Sequence, residues 1–256
     1  MKYDWSKITT VVAVKFVPEM LCIGHKYGAK VVIMNTFPVK QLENATARTI
    51  WVKQNLQRVQ DNFLDGLNID FEEPIRKRYI FEKWAYTALV EEAYKTFKAV
   101  NPNYQVTIDV PYSPNCIYDR CYDYRSLSSV TDFLVLMAYD EWDRQEADNF
   151  AGPIGDYVKT TKGIFDYIDL TIPAYQLLLA VPWYGDIYPC VTLSENMTWQ
   201  LWYDDPHSLS IKYKFALDLG IRGVGMWNAE CVDYKKDPKG LEEMWAALPR
   251  YNNTSR

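Results

Sequence analysis

Residues 64–73 read Leu-Asp-Gly-Leu-Asn-Ile-Asp-Phe-Glu-Glu, and this stretch decides the fold. Apolar residues fill every odd position from 67 to 71, which is typical of a buried strand. A carboxylate normally avoids such a place, because losing its hydration is costly. Side chains alternate between the two faces of a strand. The alternation therefore predicts that Asn68, Asp70 and Glu72 share one face.

Asp70 and Glu72 are two residues apart, which is roughly 7 Å along a strand. Acids this close shift each other's pKa values, so that one stays ionised while the other keeps a proton near neutral pH. The alternative is a strand that ends in a solvated acidic loop, since Glu73-Pro74 follows. A glycine and three polar groups on one face favour a catalytic pair.

Composition limits the classes of function. The chain has 256 residues, is 48% hydrophobic and carries a net charge of −5, so we expect one large globular core. Its longest basic run, 76–78, is too short to indicate nucleic-acid binding. No apolar stretch approaches the roughly 18 residues of a membrane span, and residues 1–5 do not resemble a signal peptide.

Cysteine and histidine usage argues against a metal centre. The sequence has five cysteines, none in a Cys-x-x-Cys pair, and two histidines, so we expect no metal site. Cys116 and Cys121 could form a local disulfide, and the odd count leaves at least one thiol unpaired. Four Asn-x-Ser/Thr triplets point weakly to a secreted or lysosomal route.

Short apolar runs alternate with amphipathic stretches along the chain. The predicted strands are Ile8–Phe16, Lys30–Phe37, Phe63–Glu72, Gln105–Tyr112, Asp132–Asp140, Leu177–Tyr184 and Arg222–Asn228. The predicted helices are Thr46–Phe63, Phe81–Val100, Ser208–Leu219 and a last helix from Asp237-Pro238 to Leu248.

Repeated β-then-α units indicate an α/β fold with a parallel sheet covered on both faces. Polar residues at the C-terminal ends of its strands suggest a (β/α)8 TIM-type barrel. An open doubly wound sheet is the alternative architecture. No Gly-x-Gly-x-x-Gly follows a strand, so we expect no dinucleotide cofactor, and no cofactor of any kind.

Several motifs together resemble one enzyme family, the family-eighteen glycoside hydrolases with chitinase-type barrels. The stretch 65–72 resembles the family signature Asp-Gly-x-x-x-Asp-x-Glu, with Asn68 where many chitinases have Asp, as in the di-N-acetylchitobiase branch. The other matching motifs, in family order, are Tyr3-Asp4-Trp5-Ser6, residues 106–110, Met137-Ala138-Tyr139-Asp140, residues 181–185 and residues 223–228. The resemblance extends from about residue 3 to 248.

The resemblance implies an eight-stranded barrel, and this chain begins just before the second strand. We therefore expect an incomplete barrel whose first strand is missing and whose first and last strands, Ile8–Phe16 and Arg222–Asn228, do not pair. The family's insertion before the last strand is reduced, and Asp186 to Pro206 is expected to be a short connector. One catalytic domain should cover residues 3–249, followed by a C-terminal tail at 250–256.

The resemblance also implies roles for individual residues. Glu72 would be the general acid and base, Asp70 would hold the substrate's acetamido group, and Asn68 would hydrogen-bond Asp70. Tyr139 would bind the acetamido oxygen, Asp140 a sugar hydroxyl, and Trp227 would stack beneath the sugar.

Four residues in or near these motifs have a structural alternative. Trp227 could instead be a core residue, and Tyr184, a rim contact for substrate, could equally be a surface or core tyrosine. Asp109 faces inward in a strand and could bind substrate or Asn68, or serve structurally. Met137 shares a face with Tyr139 and would pack the pocket wall.

Two functions follow from the resemblance. The first is a monomeric lysosomal or secreted glycosidase that hydrolyses β-1,4-linked N-acetylglucosamine, in the di-N-acetylchitobiose core of N-glycan fragments or in chitooligosaccharides. Its mechanism would be retaining and substrate-assisted, a known exception to the two-carboxylate scheme. The second is an inactive, lectin-like protein that binds N-acetylglucosamine oligomers. The presence of Glu72 favours the enzyme, whereas the sequence leaves exo and endo attack open.

Overall fold

The computed structural model describes residues 3–141, 151–191 and 197–249. Within these residues one sheet of seven parallel strands takes the order β1-β2-β3-β4-β5-β6-β9, and a separate hairpin pairs β7 with β8. The strands are β1 (Thr10–Ala13), β2 (Lys30–Asn35), β3 (Gly66–Ile69), β4 (Gln105–Pro111), β5 (Phe133–Met137), β6 (Leu177–Pro182), β7 (Gly185–Val191), β8 (Met197–Tyr203) and β9 (Gly223–Trp227).

Helices connect the strands in a β-then-α succession. They are α1 (Pro18–Lys26), α2 (Ala45–Asp61), α3 (Ile80–Val100), α4 (Tyr124–Ser129), α5 (Tyr157–Asp169), α6 (Pro206–Asp218) and α7 (Pro238–Ala247). Single 3₁₀ turns occur at Val39–Gln41, Ile117–Asp119, Ala174–Gln176 and Ala229–Cys231. No helix in the described part of the chain is long and apolar enough to cross a membrane.

All seven predicted strands of the main sheet are present, and each is shorter than predicted. The predicted strand Phe63–Glu72 is reduced to Gly66–Ile69, although Asp70 N still donates to Asn35 O at 3.0 Å and so extends the pairing with β2. The four predicted helices are confirmed as α2, α3, α6 and α7. Helices α1, α4 and α5 were not predicted from the sequence.

The strand order settles the architecture. The six strands that follow one another, β1 to β6, are neighbours in space, and β9 pairs with β6, all in parallel. A doubly wound sheet reverses direction at a switch point, so that alternative is wrong. Among the described residues no ladder joins β1 to β9, and the two end strands each have one unpaired edge. The fold is a (β/α) barrel that is open between β1 and β9.

Burial explains why the strands read as apolar runs. Every residue of β3 and β4 is buried, because the helices cover one face of the sheet and the barrel interior lies on the other. Gly66 sits where a β-carbon would lie 1.9 Å from Gln105 O, and its φ is +152°. Only glycine allows β3 to approach β4 this closely at its first residue.

Two aspartates tie the N-terminal ends of neighbouring strands. Asp132 Oδ2 accepts from Val106 N at 2.7 Å, and Lys98 Nζ of α3 reaches both carboxylate oxygens at 2.7 and 2.9 Å. Asp65 Oδ2 accepts from Val31 N at 2.7 Å in the same way, with His25 Nε2 of α1 at 2.8 Å. Each carboxylate thus extends a parallel ladder by one bond and attaches a helix to it.

The segment from Asp186 to Pro206 is not the short connector that the sequence suggested. Strands β7 and β8 form an antiparallel hairpin over Gly185–Val191 and Met197–Tyr203. The signal that was missed is the apolar alternation from Met197 to Tyr203, in which Trp199, Leu201 and Tyr203 share one face and only Trp202 breaks the polar face. That face is exposed in the described structure.

We expect Asp132→Ala to lower the free energy of unfolding by about 2–3 kcal/mol, because the buried Val106 N–H loses its acceptor and Lys98 its charged partner. Urea unfolding of the full chain measures this. The matched control is Asp218→Ala, which breaks an exposed i,i+4 pair with Lys214 and should change stability by less than about 0.5 kcal/mol. Equal losses in the two variants would contradict the role of Asp132.

Candidate active site

The alternation of side chains along β3 and the three residues that follow it determines where the polar groups lie. Phe71 points toward the helices, where its ring stacks on Tyr86 of α3 with centroids 4.4 Å apart. Its neighbours Asp70 and Glu72 therefore lie on the opposite side, together with Asn68. The predicted common face of Asn68, Asp70 and Glu72 agrees with this geometry.

Asn68 is fully buried between two polar side chains of β4. Its Nδ2 donates to Asp109 Oδ2 at 2.6 Å, and its Oδ1 accepts from Thr107 Oγ1 at 2.6 Å. Thr107 and Asp109 are two residues apart and face the same side, so they hold the amide from two positions. Burial and the charge of Asp70 raise the pKa of Asp109 well above its usual range, although the Asn68 hydrogen bond opposes this.

Asp70 and Glu72 form a hydrogen-bonded pair of carboxyl groups. Burial, the negative charge of Glu72 and a hydrogen bond with Glu72 together raise the pKa of Asp70 to about 6. Oδ1 of Asp70 is buried, and within the described residues no N–H or hydroxyl group donates to it. That oxygen is left for a donor group on a ligand.

Arg120 holds the other side of Glu72. Its Nη2 lies 2.7 Å from Glu72 Oε2, and its Nε donates to the main-chain Glu72 O at 2.9 Å. The Arg120 side chain is only 14% exposed, whereas that of Glu72 is 44% exposed. Glu72 therefore lies between the Asp70 carboxyl group and a cation, with part of its surface open to solvent.

A second group of residues follows β5. Tyr184 OH donates to Asp140 Oδ1 at 2.5 Å, and Tyr118 OH donates to Asp140 O at 2.6 Å. The rings of Tyr139 and Tyr184 meet edge to face, with centroids 6.5 Å apart. Asp140 has a φ of +51°, a left-handed conformation that aspartate tolerates better than most residues.

Electrostatics join the two groups into one site. The pKa of Tyr139 is raised by burial and, after that, by the charges of Asp109, Glu72 and Asp70. Those three carboxyl groups lie on β4 and after β3, whereas Tyr139 lies after β5. The ends of three neighbouring strands therefore meet at the C-terminal edge of the sheet, where barrel enzymes carry their catalytic groups.

Two other predicted residues lie on this edge without joining the polar contacts. Met137 is buried as the last residue of β5, in agreement with a packing role. Trp227 ends β9 and is half-buried, and its main-chain oxygen accepts from Trp183 N at 2.8 Å. In the part of the chain that the structure describes, no hydrogen bond or ring contact joins the Trp227 indole to Tyr139 or to the carboxyl groups.

Sequence reasoning missed four residues of this site. Thr107 could have been found, because it shares the face of Asp109. Glu141, directly after Asp140, is buried and accepts from Asp156 N at 2.8 Å and Thr160 Oγ1 at 2.7 Å, which fixes the start of α5. Arg120 and Tyr118 lie in a loop closed by the Cys116–Cys121 disulfide, and no local pattern indicates where that loop folds.

The described residues contain no group of three or more His, Cys, Asp or Glu side chains that could hold a metal ion. The side chains that the site brings together are a carboxyl pair, a cation and tyrosine hydroxyls. Two acids at the C-terminal end of a (β/α) barrel are the arrangement of a glycoside hydrolase.

Comparison with known proteins agrees with that class. The model of glycosyl hydrolases family 18 matches residues 39–231, and the chain belongs to this family. The di-N-acetylchitobiase of Mus musculus is 33% identical over 307 aligned positions, which cover 96% of this chain and 84% of the relative. The di-N-acetylchitobiase of Homo sapiens is 32% identical and matches 96% of this chain and 80% of its own length.

Solved structures confirm the barrel. The class V chitinase of Nicotiana tobaccum superimposes with a TM-score of 0.75 at 14% identity, covering 95% of this chain and 94% of that one. The alignment with the mouse relative spans 307 positions, more than the 256 residues of this chain. The relative therefore has residues inside the matched region that have no counterpart here, in agreement with a shortened insertion.

The raised pKa of Asp70 predicts how stability depends on pH. The folded state binds the proton more tightly than the unfolded state, so the contribution of Asp70 to stability is present below about pH 4 and is lost as pH rises through about 6. Asp70→Asn should therefore raise the free energy of unfolding by about 1–2 kcal/mol near pH 7.5, after allowance for solvent screening. The gain should disappear near pH 4.

Urea unfolding at both pH values measures the difference. Glu43→Gln removes an exposed carboxylate and serves as the control, with no comparable gain expected at either pH. A destabilised Asp70→Asn at neutral pH would show that the Asp70 carboxylate is not under electrostatic repulsion.

Proposed function

We propose that this protein hydrolyses β-1,4-linked N-acetylglucosamine, with di-N-acetylchitobiose as its substrate, by a substrate-assisted retaining mechanism. The observation that carries the proposal is the Asp70–Glu72 pair, in which burial and the charge of Glu72 raise the pKa of Asp70 to about 6 and the Glu72 side chain remains 44% exposed. The names of the relatives, di-N-acetylchitobiases and chitinases, support this substrate class.

Glu72 is the general acid in the first step. The bond between the anomeric carbon and the glycosidic oxygen breaks, its electron pair goes to that oxygen, and the oxygen takes the proton of Glu72. At the same time the acetamido carbonyl oxygen of the same sugar forms a bond to the anomeric carbon. The product is an oxazolinium ion, whose positive charge forms close to the Asp70 and Glu72 carboxylates.

Asp70 orients the nucleophile. Its buried Oδ1, to which no N–H or hydroxyl group donates in the described part of the chain, is the acceptor for the acetamido N–H. Tyr139 donates to the acetamido oxygen, and its hydroxyl stays protonated because burial and the nearby carboxylates raise its pKa. Asp140, held by Tyr184, accepts from a sugar hydroxyl, and Trp227 packs beneath the ring.

Glu72 acts as a base in the second step. Its carboxylate takes a proton from water, and the water oxygen attacks the anomeric carbon from the side that the leaving group vacated. The carbon–oxygen bond of the oxazolinium ion breaks and restores the acetamido group. Two inversions give overall retention, and Glu72 is protonated again for the next cycle.

The remaining assignments follow from the same family membership. We propose that residues 3–249 form one catalytic domain, that the protein acts as a monomer and that it functions in a lysosomal or secreted setting. The tail predicted at 250–256 lies outside the described residues.

Glu72→Gln should lower kcat on di-N-acetylchitobiose by about 10²–10⁴-fold, since the amide cannot deliver a proton. Binding of an N-acetylglucosamine oligomer should persist, because the amide keeps the shape of the side chain. Release of N-acetylglucosamine gives the rate, and calorimetry with the oligomer gives the binding. Glu73→Gln, the exposed neighbouring acid, should retain the activity of the unmutated protein.

A substrate that lacks the acetamido group tests whether that group is the nucleophile. A β-1,4 glucose dimer lacks the acetamido group, so the unmutated protein should cleave it very poorly. Efficient cleavage of that dimer would show that a protein carboxylate attacks instead. If the unmutated protein binds N-acetylglucosamine oligomers and releases no sugar, the lectin-like function is correct.

A further inference from the structure

The loop between β4 and α4 makes hydrogen bonds to the segment that carries Glu72. The Cys116–Cys121 disulfide closes this loop. Cys121 N donates to Ile75 O at 3.0 Å, and Tyr122 OH donates to Phe71 O at 3.1 Å and to Glu73 O at 2.6 Å. Main-chain atoms on both sides of Glu72 are therefore fixed by one short stretch of chain.

Arg120 is the residue of that stretch that reaches Glu72 itself. Its guanidinium makes two contacts at once, with the carboxylate at 2.7 Å and with the main-chain oxygen at 2.9 Å. The guanidinium also lies over the ring of Tyr118, 5.5 Å from its centroid, and the Arg120 carbonyl accepts from Tyr124 OH. Arg120 is therefore held both at its main chain and at its guanidinium, which leaves it little freedom to release Glu72.

The charge of Arg120 acts against the other influences on the acid pair. Burial and the mutual repulsion of Asp70 and Glu72 favour retention of their proton, whereas Arg120 favours its release. In the part of the chain that the structure describes, Arg120 is the one cation that acts on Asp70. The other titratable groups facing the pair are Tyr86 of α3, Asp109 of β4, Tyr122 and Tyr139.

We propose that Arg120 is a positioning residue for the proton donor: it fixes Glu72 through the carboxylate and the main-chain oxygen, and its positive charge favours the ionised form of the neighbouring acids. The catalytic part of this inference rests on the proposed function. Arg120 does not contact the sugar in this scheme, so it acts on kcat more than on KM.

Two substitutions of Arg120 separate the effect of its charge from the effect of its paired contacts with Glu72. In Arg120→Gln both the charge and the paired contacts are lost, so kcat should fall by about 10–10²-fold and the basic limb of the kcat/KM profile should move up by about 1 pH unit. Arg120→Lys keeps the charge but cannot make both contacts at once. Its kcat should fall as well, while its basic limb stays near that of the unmutated protein.

Arg76→Gln is the matched control. Arg76 pairs with Asp119 at 3.0 Å on the surface, with more than half of each side chain exposed, and it belongs to the segment that follows β3. Its loss removes the same charge without touching Glu72, so rate and pH profile should not change. An unmoved basic limb in Arg120→Gln, or the same shift in Arg76→Gln, would overturn the proposal.

A second measurement does not depend on activity. With ¹³C-labelled Asp and Glu side chains, NMR titration of the full chain reports when the Asp70–Glu72 pair loses its proton. The transition should move to higher pH in Arg120→Gln and stay in place in Arg120→Lys and Arg76→Gln. If the unmutated protein releases no N-acetylglucosamine, the proposed function fails, whereas the titration still decides whether Arg120 controls the pair.

Discussion

Asp70 faces the interior of the barrel because Phe71 must face the helices, where it stacks on Tyr86. Neighbouring side chains of an extended chain cannot share a side, so one aromatic contact orients the acids before and after it. The same alternation on β4 brings Thr107 and Asp109 to the inner face, where they meet Asn68. If this alternation were shifted by one residue, the side chains of Asp70 and Glu72 would point into the helix layer, and they would not form a pair.

The site balances opposing electrostatic forces. Burial makes each ionised carboxyl group costly, and three of them lie within reach of one another on β4 and after β3. Arg120 offsets part of that cost from one side, and the open surface of Glu72 lets water offset more. The two ends of the sheet therefore differ in how their carboxylates are stabilised. At the N-terminal end, Asp65 and Asp132 accept hydrogen bonds that stabilise their charges. At the C-terminal end, the carboxyl groups repel one another.

The sequence predicts the parts of this protein that depend on local periodicity. Seven strands, four helices and the common face of Asn68, Asp70 and Glu72 all follow from patterns of two or three to four residues. The boundaries do not, because pairing with a neighbour decides where a strand ends. The predicted strand Phe63–Glu72 is four residues long in the structure for this reason.

The features that the sequence did not predict depend on long-range contacts. Arg120 lies 48 residues from Glu72 in sequence, and only the fold of the disulfide loop brings them together. The β7–β8 hairpin was missed because family resemblance led us to expect a connector, although its own alternation indicated strands. Helix α5 depends on Glu141, whose buried carboxylate holds the helix start, and that partner is distant from the helix in sequence.

The Asn68 amide has one further consequence. Hydrogen bonds connect Thr107 to Asn68 and Asn68 to Asp109, and a chain of carboxyl groups in the same places could pass protons along it. An amide cannot give up its hydrogen at physiological pH, so the Asn68 hydrogen bond passes no proton to or from Asp109. Asp109 then behaves as a fixed neighbour, which acts on Asp70 and Glu72 by its charge across space.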